Sequence, residues 1–271
     1  MNGAGARMVR HPRWTMSDLA QSVLASLDGS DPRLFPYLPE LLQDLDDLGL
    51  DPAQVARLLT GPAGLPARAR LLDLGCGKGS VALHLLQRQP WTALGVDGMP
   101  AFVDRARARA AALGLAERCR FEVADIRTWD GAGRFDLIVL GAVGPVLGDA
   151  ETTLRRLDPW LAPEGKIVVD QVCLPDGSTC RNASYSLTRG ELAAATARAG
   201  FRILAEAREE EDSARVRNRA MFEAIRSRAA DLARRCPEDR DLFEAYVADQ
   251  AQEFEILERE VVDLTWLLGR G

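Results

Sequence analysis

The sequence predicts an α/β fold with a doubly wound sheet, and three observations support this. Six short apolar runs alternate with helical patterns through the middle of the chain, as in parallel sheets with crossover helices. The first run ends in Asp73 and continues into a turn with glycine at every second position, Gly75, Gly77 and Gly79. A last apolar run, 261–268, follows a long helical stretch and supplies a seventh strand.

The turn after the first strand is the stretch around which the rest of the chain is arranged. Residues 71–74 are an apolar run typical of a buried strand, and residues 80–86 have a helical pattern. Glycine permits the unusual backbone angles of such a turn and lets a ligand approach without a Cβ atom in the way. The turn also presents backbone N–H groups and a helix N-terminus to a bound group. Any tight strand-to-helix crossover is the alternative interpretation of the glycines alone.

Three helical patterns precede the glycine turn and make up a predicted N-terminal helical cover, residues 1–66. Asp51 is the predicted cap of the third helix. The cover either shields one edge of the sheet, which is the alternative we favour, or closes over a ligand. In the second case Tyr37 or Trp14 would line the site. The predicted helices are 17–27, 37–48 and 52–59.

The core of the fold is predicted over residues 67–211, where strands and helices alternate. Thr188 and Glu191 form a capping-box pattern at the start of the last of these helices. The predicted strands are 71–74, 91–97, 119–124, 135–140, 165–170 and 201–206. The predicted helices are 80–86, 101–113, 152–161 and 189–199.

A long charged stretch, 212–259, is predicted to be a pair of amphipathic helices inserted before the last core strand, 260–271. It has almost no glycine and a single proline, and its apolar positions recur at helical spacing. The pair is either a packing or oligomer surface or a lid over an acceptor pocket, and we weigh the two equally. The lid residues to test first are Asn218, Tyr246, Gln250 and Glu253.

The sequence Asp73-Leu74-Gly75-Cys76-Gly77-Lys78-Gly79 resembles the first motif of class I S-adenosylmethionine-dependent methyltransferases. Its G-x-G-x-G spacing differs from the G-x-G-x-x-G of dinucleotide-binding folds. The resemblance covers about residues 69–207 and the last strand. It implies a mostly parallel seven-stranded sheet whose last strand is antiparallel and lies beside the fifth. It also implies S-adenosylmethionine as the cofactor and S-adenosylhomocysteine as the product.

Two acids at later strand ends fit this resemblance. Asp97 lies 18 residues past Gly79, close to the spacing at which a carboxylate binds the hydroxyls of a ribose, although it is also placed to cap the next helix. Asp125 is implied to accept from the adenine amino group, with Ile126 against the ring; a turn or cap role is the alternative. The implied cofactor-binding residues are Asp73, Gly75, Cys76, Gly77, Gly79, Asp97, Gly98, Met99, Asp125, Ile126 and Gly141.

The resemblance implies methyl transfer by in-line displacement at the sulfonium, a reaction in which positioning supplies much of the rate. The loop after the fourth strand, 141–145, holds no acid, base or amide side chain. The N-P-P-Y type sequence of amino-directed nucleic-acid methyltransferases is absent. We therefore name no catalytic residue. The candidate substrate contacts are Tyr37, Asp170, Asn218, Tyr246 and Gln250.

The two histidines and five cysteines do not indicate a metal site. His11 precedes the first helix, and His84 is predicted to be structural, on a helix face that packs on the sheet. No Cys-x-x-Cys occurs, so neither zinc nor a disulfide framework is indicated, and a reduced cytoplasm is the expected setting. Cys173 and Cys180 together would suit a thiophilic acceptor such as arsenic, an idea that lacks a third nearby thiol.

Composition narrows the class of acceptor. With 34 basic and 40 acidic residues the net charge is −6, which disfavours nucleic acid, and the pI is near 5.2. No apolar stretch reaches the roughly 20 residues that cross a bilayer. We expect a small-molecule methyltransferase. Alternatives are a protein or nucleic-acid methyltransferase and a non-catalytic S-adenosylmethionine-binding protein. An NAD-dependent oxidoreductase is least favoured, because a Tyr-x-x-x-Lys pair is not evident. The oligomeric state is left open.

Overall fold

The computed structural model describes residues 17–61, 64–178 and 185–271. Within these ranges seven strands form one sheet in the order β3-β2-β1-β4-β5-β7-β6 when numbered along the chain. They are β1 Arg70–Leu74, β2 Thr92–Asp97, β3 Cys119–Val123, β4 Phe135–Leu140, β5 Leu161–Cys173, β6 Phe201–Ala207 and β7 Val262–Arg270. The first five strands pair in parallel, and β7 is antiparallel to both β5 and β6. The predicted fold class and the place of the seventh strand are confirmed.

The helices of the described ranges agree in number with the sequence patterns. Their local signals are in place: Asp51 accepts from two amides at the start of the third helix, and Thr188 and Glu191 form the predicted capping box. The α-helices are α1 Asp18–Ser26, α2 Leu38–Leu41, α3 Pro52–Leu58, α4 Ser80–Arg88, α5 Pro100–Ala112, α6 Ala150–Leu157, α7 Arg189–Arg198, α8 Glu211–Arg235 and α9 Arg240–Arg259. Three short 3₁₀ helices are Pro32–Tyr37, Asp158–Trp160 and Pro237–Asp239.

Two helices are shorter than their patterns suggest. The helix predicted over 37–48 ends at Leu41, and the carbonyls of Leu42 and Leu45, which follow it, accept from the side chain of Lys78. The α-helix predicted over 152–161 ends at Leu157 and is followed by a 3₁₀ turn, Asp158–Trp160. Pro159 lies in this turn, and the residue before a proline disfavours the α-helical conformation.

Two hydrophobic clusters sandwich the sheet, one on each face. Successive side chains of a strand point to opposite faces, so Leu71 packs under α3, α4 and α5 whereas Leu72 packs under α6 and α7. A helix on both faces leaves the ends of the strands as the place where a ligand has access. No helix in the described ranges combines the length and apolarity needed to cross a membrane.

A third hydrophobic cluster joins the two parts of the chain that flank the core. It contains leucines of residues 24–45 together with the apolar faces of α8 and α9. Met99 and Phe102, at the start of α5, connect it to the sheet layer. We call residues 17–50 together with α8 and α9 the helical cap. The described part of the predicted N-terminal cover that precedes α3 therefore packs with the predicted helical insertion as one layer beside the end of β2, whereas α3 packs on the sheet.

Candidate functional site

A pocket opens where β1, β2 and β4 end, at the point where the strand order reverses. In open α/β sheets ligands bind in such crevices. One wall consists of the glycine turn, the end of β2 and the segments that follow β3 and β4. The other wall comes from α1 and from residues 46–50, which approach from the helical cap. These two segments of the N-terminal region therefore lie beside the pocket, as in the alternative that places this region over a ligand.

The three glycines of the turn all have positive φ, but Gly77 and Gly79 have different surroundings. A Cβ atom at Gly77 would meet nothing closer than Leu48 Cδ1 at 3.5 Å, so the backbone of Gly77 is open toward the pocket. A Cβ atom at Gly79 would lie 2.8 Å from the ring of Phe121. Gly79 is not among the residues that line the pocket, and its lack of a Cβ atom permits close packing of the turn on β3; its contact with the cofactor stays a prediction.

Asp97 joins the end of β2 to the glycine turn. Its Oδ2 accepts from the amide of Gly77 at 2.8 Å, and its Oδ1 accepts from the amide of Met99 at 2.8 Å. Burial raises the pKa of Asp97 and the two backbone donors oppose that rise. Each carboxylate oxygen has a second lone pair, so a carboxylate held from behind in this way is ready to accept from two hydroxyls. The helix cap is Met99 rather than Asp97.

Asp73, at the end of β1, is the most unusual side chain of the pocket. It is 3% exposed, and its Oδ2 has no hydrogen-bond partner among the described residues. Burial raises the pKa of Asp73 to about 7, and the nearby charge of Asp97 adds to the rise. An unpartnered buried oxygen is costly, and a ligand that donates a hydrogen bond or carries a positive charge would satisfy it.

Asp125 follows β3 and lines the pocket, but its carboxylate is already engaged. Arg127 donates to both oxygens, with Nε at 2.9 Å from Oδ1 and Nη2 at 2.7 Å from Oδ2. This pairing lowers the pKa of Asp125. A role for Asp125 toward an adenine amino group must use its remaining lone pairs. Sequence reasoning missed Arg127, which stands two residues after the acid.

The other implied cofactor residues divide into two sets. Gly75, Cys76, Gly98, Ile126 and Gly141 line the pocket. Met99 does not: its side chain is 2% exposed and belongs to the cluster of the helical cap. The Met99 side chain thus points away from the pocket while its amide donates to Asp97, and its contact with the cofactor stays a prediction.

Close contacts show how tightly the helical cap approaches these glycines. A Cβ atom at Gly98 would lie 2.7 Å from Val23 Cγ2 of α1, and one at Gly141 would lie 2.7 Å from Leu50 Cδ2. Sequence reasoning named none of the cap residues that line the pocket, because they precede the glycine turn by many residues and carry no motif. The described ones are Leu19, Ser22, Val23, Ser26, Leu27, Asp46, Asp47, Leu48, Gly49 and Leu50.

Comparison with known proteins agrees with this geometry. Residues 71–165 match the family model described as a methyltransferase domain. These residues are thus similar to a methyltransferase domain, and the order of the sheet agrees with the class I fold that the sequence predicts. A trans-aconitate 2-methyltransferase of Variovorax paradoxus is 34% identical over 145 residues, which are 53% of this chain and 51% of that protein. One of Streptomyces avermitilis is 37% identical over 103 residues, 36% of this chain and 37% of that protein. The chain thus spans about half, or less, of the length of these relatives.

Solved structures extend the likeness of fold beyond the methyltransferase domain model. An S-adenosylmethionine-dependent methyltransferase of Geobacter sulfurreducens, solved with S-adenosylhomocysteine, superposes with a TM-score of 0.75 at 18% identity, covering 89% of this chain and 99% of that one. One of Thiobacillus denitrificans, also with S-adenosylhomocysteine, gives 0.73 at 20% identity, covering 87% and 98%. At such identities the likeness concerns the fold, and it includes the helical regions on either side of the core.

Four of the five candidate substrate contacts build the helical cap and do not line the pocket of the methyltransferase domain. The Tyr37 ring packs edge-on against Phe243, and its hydroxyl donates to Asp239 at 2.8 Å. The Tyr246 hydroxyl donates to the Leu27 carbonyl at 3.1 Å. The remaining two have other surroundings: Gln250 donates to Asp28 at 3.2 Å, and Asn218 is 7% exposed on α8. Trp14 lies outside the described residues.

Asp170 is the candidate that stays beside the pocket. It lies on β5 opposite Thr265 of β7, and its carboxyl interacts with that of Asp263 and with the backbone of Ala142, which lines the pocket. Burial and the charge of Asp263 raise the pKa of Asp170, and Arg217 opposes the rise. Glu253, the further lid residue named from the sequence, accepts from the Tyr185 hydroxyl at 2.6 Å.

The remaining titratable candidates lie elsewhere or outside the described ranges. His84 is half-buried on α4 with Arg88 and Asp51 nearby, and partial burial lowers its pKa. Its predicted structural role stays a prediction. Cys173 is buried, whereas Cys180 and His11 lie outside the described residues. The described ranges contain no group of three or more His, Cys, Asp or Glu side chains suited to a metal ion.

Proposed function

We propose that the methyltransferase domain binds S-adenosylmethionine and transfers its methyl group to a small-molecule acceptor. The observation that carries this proposal is a pair of acids beside the glycine turn, one buried and one partly buried. Asp97 is held by two backbone donors and Asp73 has an unpartnered oxygen, and both line one pocket at the strand ends. The names of the curated relatives, trans-aconitate 2-methyltransferases, support the reaction type.

The residues fit the cofactor part by part. Asp97 would accept from the hydroxyls of the ribose, and the open backbone at Gly77 leaves room for the chain that joins ribose and amino acid. Asp73 would accept from the amino group of the methionine part. Ile126 would lie against the adenine ring beside Asp125. When bound, the cofactor supplies a methyl group on a positively charged sulfur, already activated for transfer.

The chain itself supplies position and exclusion of water. The loop that follows β4, 141–145, offers backbone and apolar atoms to the pocket, so no side chain there takes a proton. Alignment of the acceptor atom with the methyl group is then the main contribution to rate. An acceptor that needs its proton removed would depend on a group behind this loop, where Asp170 lies beside Ala142.

Calorimetric titration with S-adenosylmethionine, S-adenosylhomocysteine and NAD tests the proposal. We expect binding of the two adenosyl ligands and none of NAD. Asp97→Ala should weaken binding roughly tenfold to a hundredfold, the worth of one or two hydrogen bonds to a charged group. Gly77→Val should weaken it through a clash with the ligand. Asp104→Ala, which removes an exposed acid of α5, is the control.

Either of two results would contradict the assignment: binding of NAD alone, or unchanged affinity in both pocket variants. Once binding is established, release of S-adenosylhomocysteine reports turnover with trial acceptors. Trans-aconitate belongs among them because of the relatives' names. Turnover only with a protein or an oligonucleotide would favour the alternative methyltransferase classes, and binding without turnover would favour a non-catalytic role.

A further inference from the structure

Lysine is rare in this chain, and one lysine is buried inside the glycine turn. Only two of the 34 basic residues are lysines, Lys78 and Lys166. Lys78 is 3% exposed. A charged group is almost never buried to that extent unless it is paired, so the partners of Lys78 indicate what it does.

Those partners belong to the helical cap and not to the sheet. The Lys78 ammonium donates to the carbonyl oxygens of Leu42 and Leu45 and lies 5.3 Å from the centre of the Phe102 ring. Both carbonyls lie in the stretch where α2 stops and the chain turns toward the pocket. One side chain therefore links the turn that follows β1 to a backbone segment more than thirty residues earlier.

The segment that Lys78 holds, residues 42–50, forms part of the pocket. Five of its residues, 46–50, line the pocket opposite the glycine turn. Its fit is close: a Cβ atom at Gly49 would lie 2.1 Å from the Cβ of Ala142. The segment thus packs against the loop after β4 so closely that a side chain at position 49 has no room. This packing blocks access to the pocket from that side.

The hydrogen bonds and ion pairs that Ser80 and Asp46 make between the segment and the core are more exposed than those of Lys78. Ser80 Oγ donates to the Asp46 carbonyl at 2.6 Å, and the Asp46 carboxylate lies 3.5 Å from Arg105 and 3.7 Å from Arg109. Exposed ion pairs contribute little and are screened by salt. Hydrogen bonds from a buried ammonium are stronger because water does not compete for them.

We propose that Lys78 is a positioning residue that holds the 42–50 segment as a wall of the cofactor pocket, so that the ligand enters and leaves when this link is released. The proposal rests on the proposed function for the identity of the ligand. The link itself is a property of this chain and is open to test without any ligand. Lys78 touches no reacting atom and acts through the segment that it fixes.

The two lysines provide a direct experiment on the unaltered protein. Acylation of amines with an N-hydroxysuccinimide ester, followed by peptide mass spectrometry, gives the reaction rate of each. Burial lowers the pKa of Lys78 to about 8, so a larger fraction of this amine is unprotonated near neutral pH than for an ordinary lysine. Slow acylation therefore reports that the amine is covered and not that it is protonated. We expect Lys78 to react about tenfold or more slowly than Lys166, and S-adenosylhomocysteine to slow it further. Equal rates for the two lysines would overturn the proposal.

Variants separate a wall from general support of the fold. Lys78→Met removes the donors at similar length, Lys78→Arg keeps donors, and Lys166→Met is the control. In Lys78→Met we expect hydrogen exchange over 42–50 and the dissociation rate of S-adenosylhomocysteine to rise about tenfold or more, with β1 and β4 still protected. Lys78→Arg should restore part of each, and Lys166→Met should change neither.

The outcomes distinguish this proposal from the proposed function. Unchanged exchange over 42–50 in Lys78→Met would overturn the proposal, and so would an equal rise across the whole sheet, which would make Lys78 a support of the entire fold. If the wild-type protein binds neither adenosyl ligand, the proposed function fails. In that case the hydrogen-exchange comparison still decides whether Lys78 holds the segment.

Discussion

Replacing Asp73 by asparagine should stabilise the ligand-free protein, and the gain should grow with pH. The Asp73 side chain is 3% exposed with one unpartnered oxygen among the described residues. Burial raises its pKa from 3.8 to about 7. Because the folded state holds this proton more tightly than the unfolded state, stability falls as pH rises from the unfolded value through the folded one. Asparagine has nearly the same shape and never ionises.

The two pKa values fix the size of the effect. Proton linkage between 3.8 and about 7 gives an ionisation cost of about 2 kcal/mol at about pH 5 and about 4 kcal/mol at about pH 8. These figures are upper limits, since the asparagine amide also lacks a partner for its N–H group. For a chain of 271 residues, ~4 kcal/mol corresponds to a rise of roughly 7 °C in Tm.

Thermal unfolding of both proteins without ligand, followed by circular dichroism at about pH 5 and about pH 8, measures this difference. Asp125→Asn is the control, because Arg127 lowers the pKa of Asp125 and ionisation there favours the folded state. Both pH values lie above the ordinary value of that group, so the control should lose the same stability at each. An Asp73→Asn gain that is equal at the two pH values, or a loss at the higher one, would refute the reasoning.

Two further substitutions test the packing around the pocket, both by denaturant titration. Gly79→Ala should cost about 1–3 kcal/mol, because φ is +77° and the new Cβ would lie 2.8 Å from Phe121; an unchanged midpoint would contradict the packing role of Gly79. Tyr246→Phe should cost about 1 kcal/mol, because the Leu27 carbonyl loses the hydroxyl that donates to it. Stability equal to the wild type would show that this bond does not hold α1.

The sheet could be predicted from the sequence because its strands are buried on both faces. Continuous apolar runs such as 135–140 carry their own signal, and β4 has these bounds. The pocket was located from the glycine turn and the acids at strand ends, since Asp73, Asp97 and Asp125 all line it. Parallel strands bring their carboxyl ends to one edge, and spacing pointed to Asp97, whereas Asp125 was implied by the resemblance to class I methyltransferases.

Side-chain direction and long-range hydrogen bonds were beyond the sequence pattern. Met99 stands two residues after Asp97 and directly after Gly98, which lines the pocket, yet its side chain turns into the hydrophobic cluster of the helical cap. The stretch 37–48 has an unbroken apolar periodicity, yet the helix ends at Leu41 and the Lys78 ammonium binds two carbonyls of the residues that follow. A periodic pattern shows which face of a segment is apolar. It does not show which side chain from elsewhere in the sequence will donate to the backbone carbonyls of that segment.

The packing of the helical cap bears on the two alternatives for α8 and α9. Their apolar faces are occupied by residues of α1 and α2, and their outer faces carry ion pairs within one helix, such as Arg226 with Glu223. The buried faces are thus already used within the chain and are not free for a second copy. Because α9 contacts the end of α1 through Tyr246 and Gln250, and α1 lines the pocket, any shift of the hairpin moves one wall of the site. Deleting 212–259 would therefore expose the hydrophobic cluster of the cap as well as open the pocket. Tyr246→Phe removes a single hydrogen bond between α9 and the end of α1, so it tests more specifically whether α9 positions this wall of the pocket.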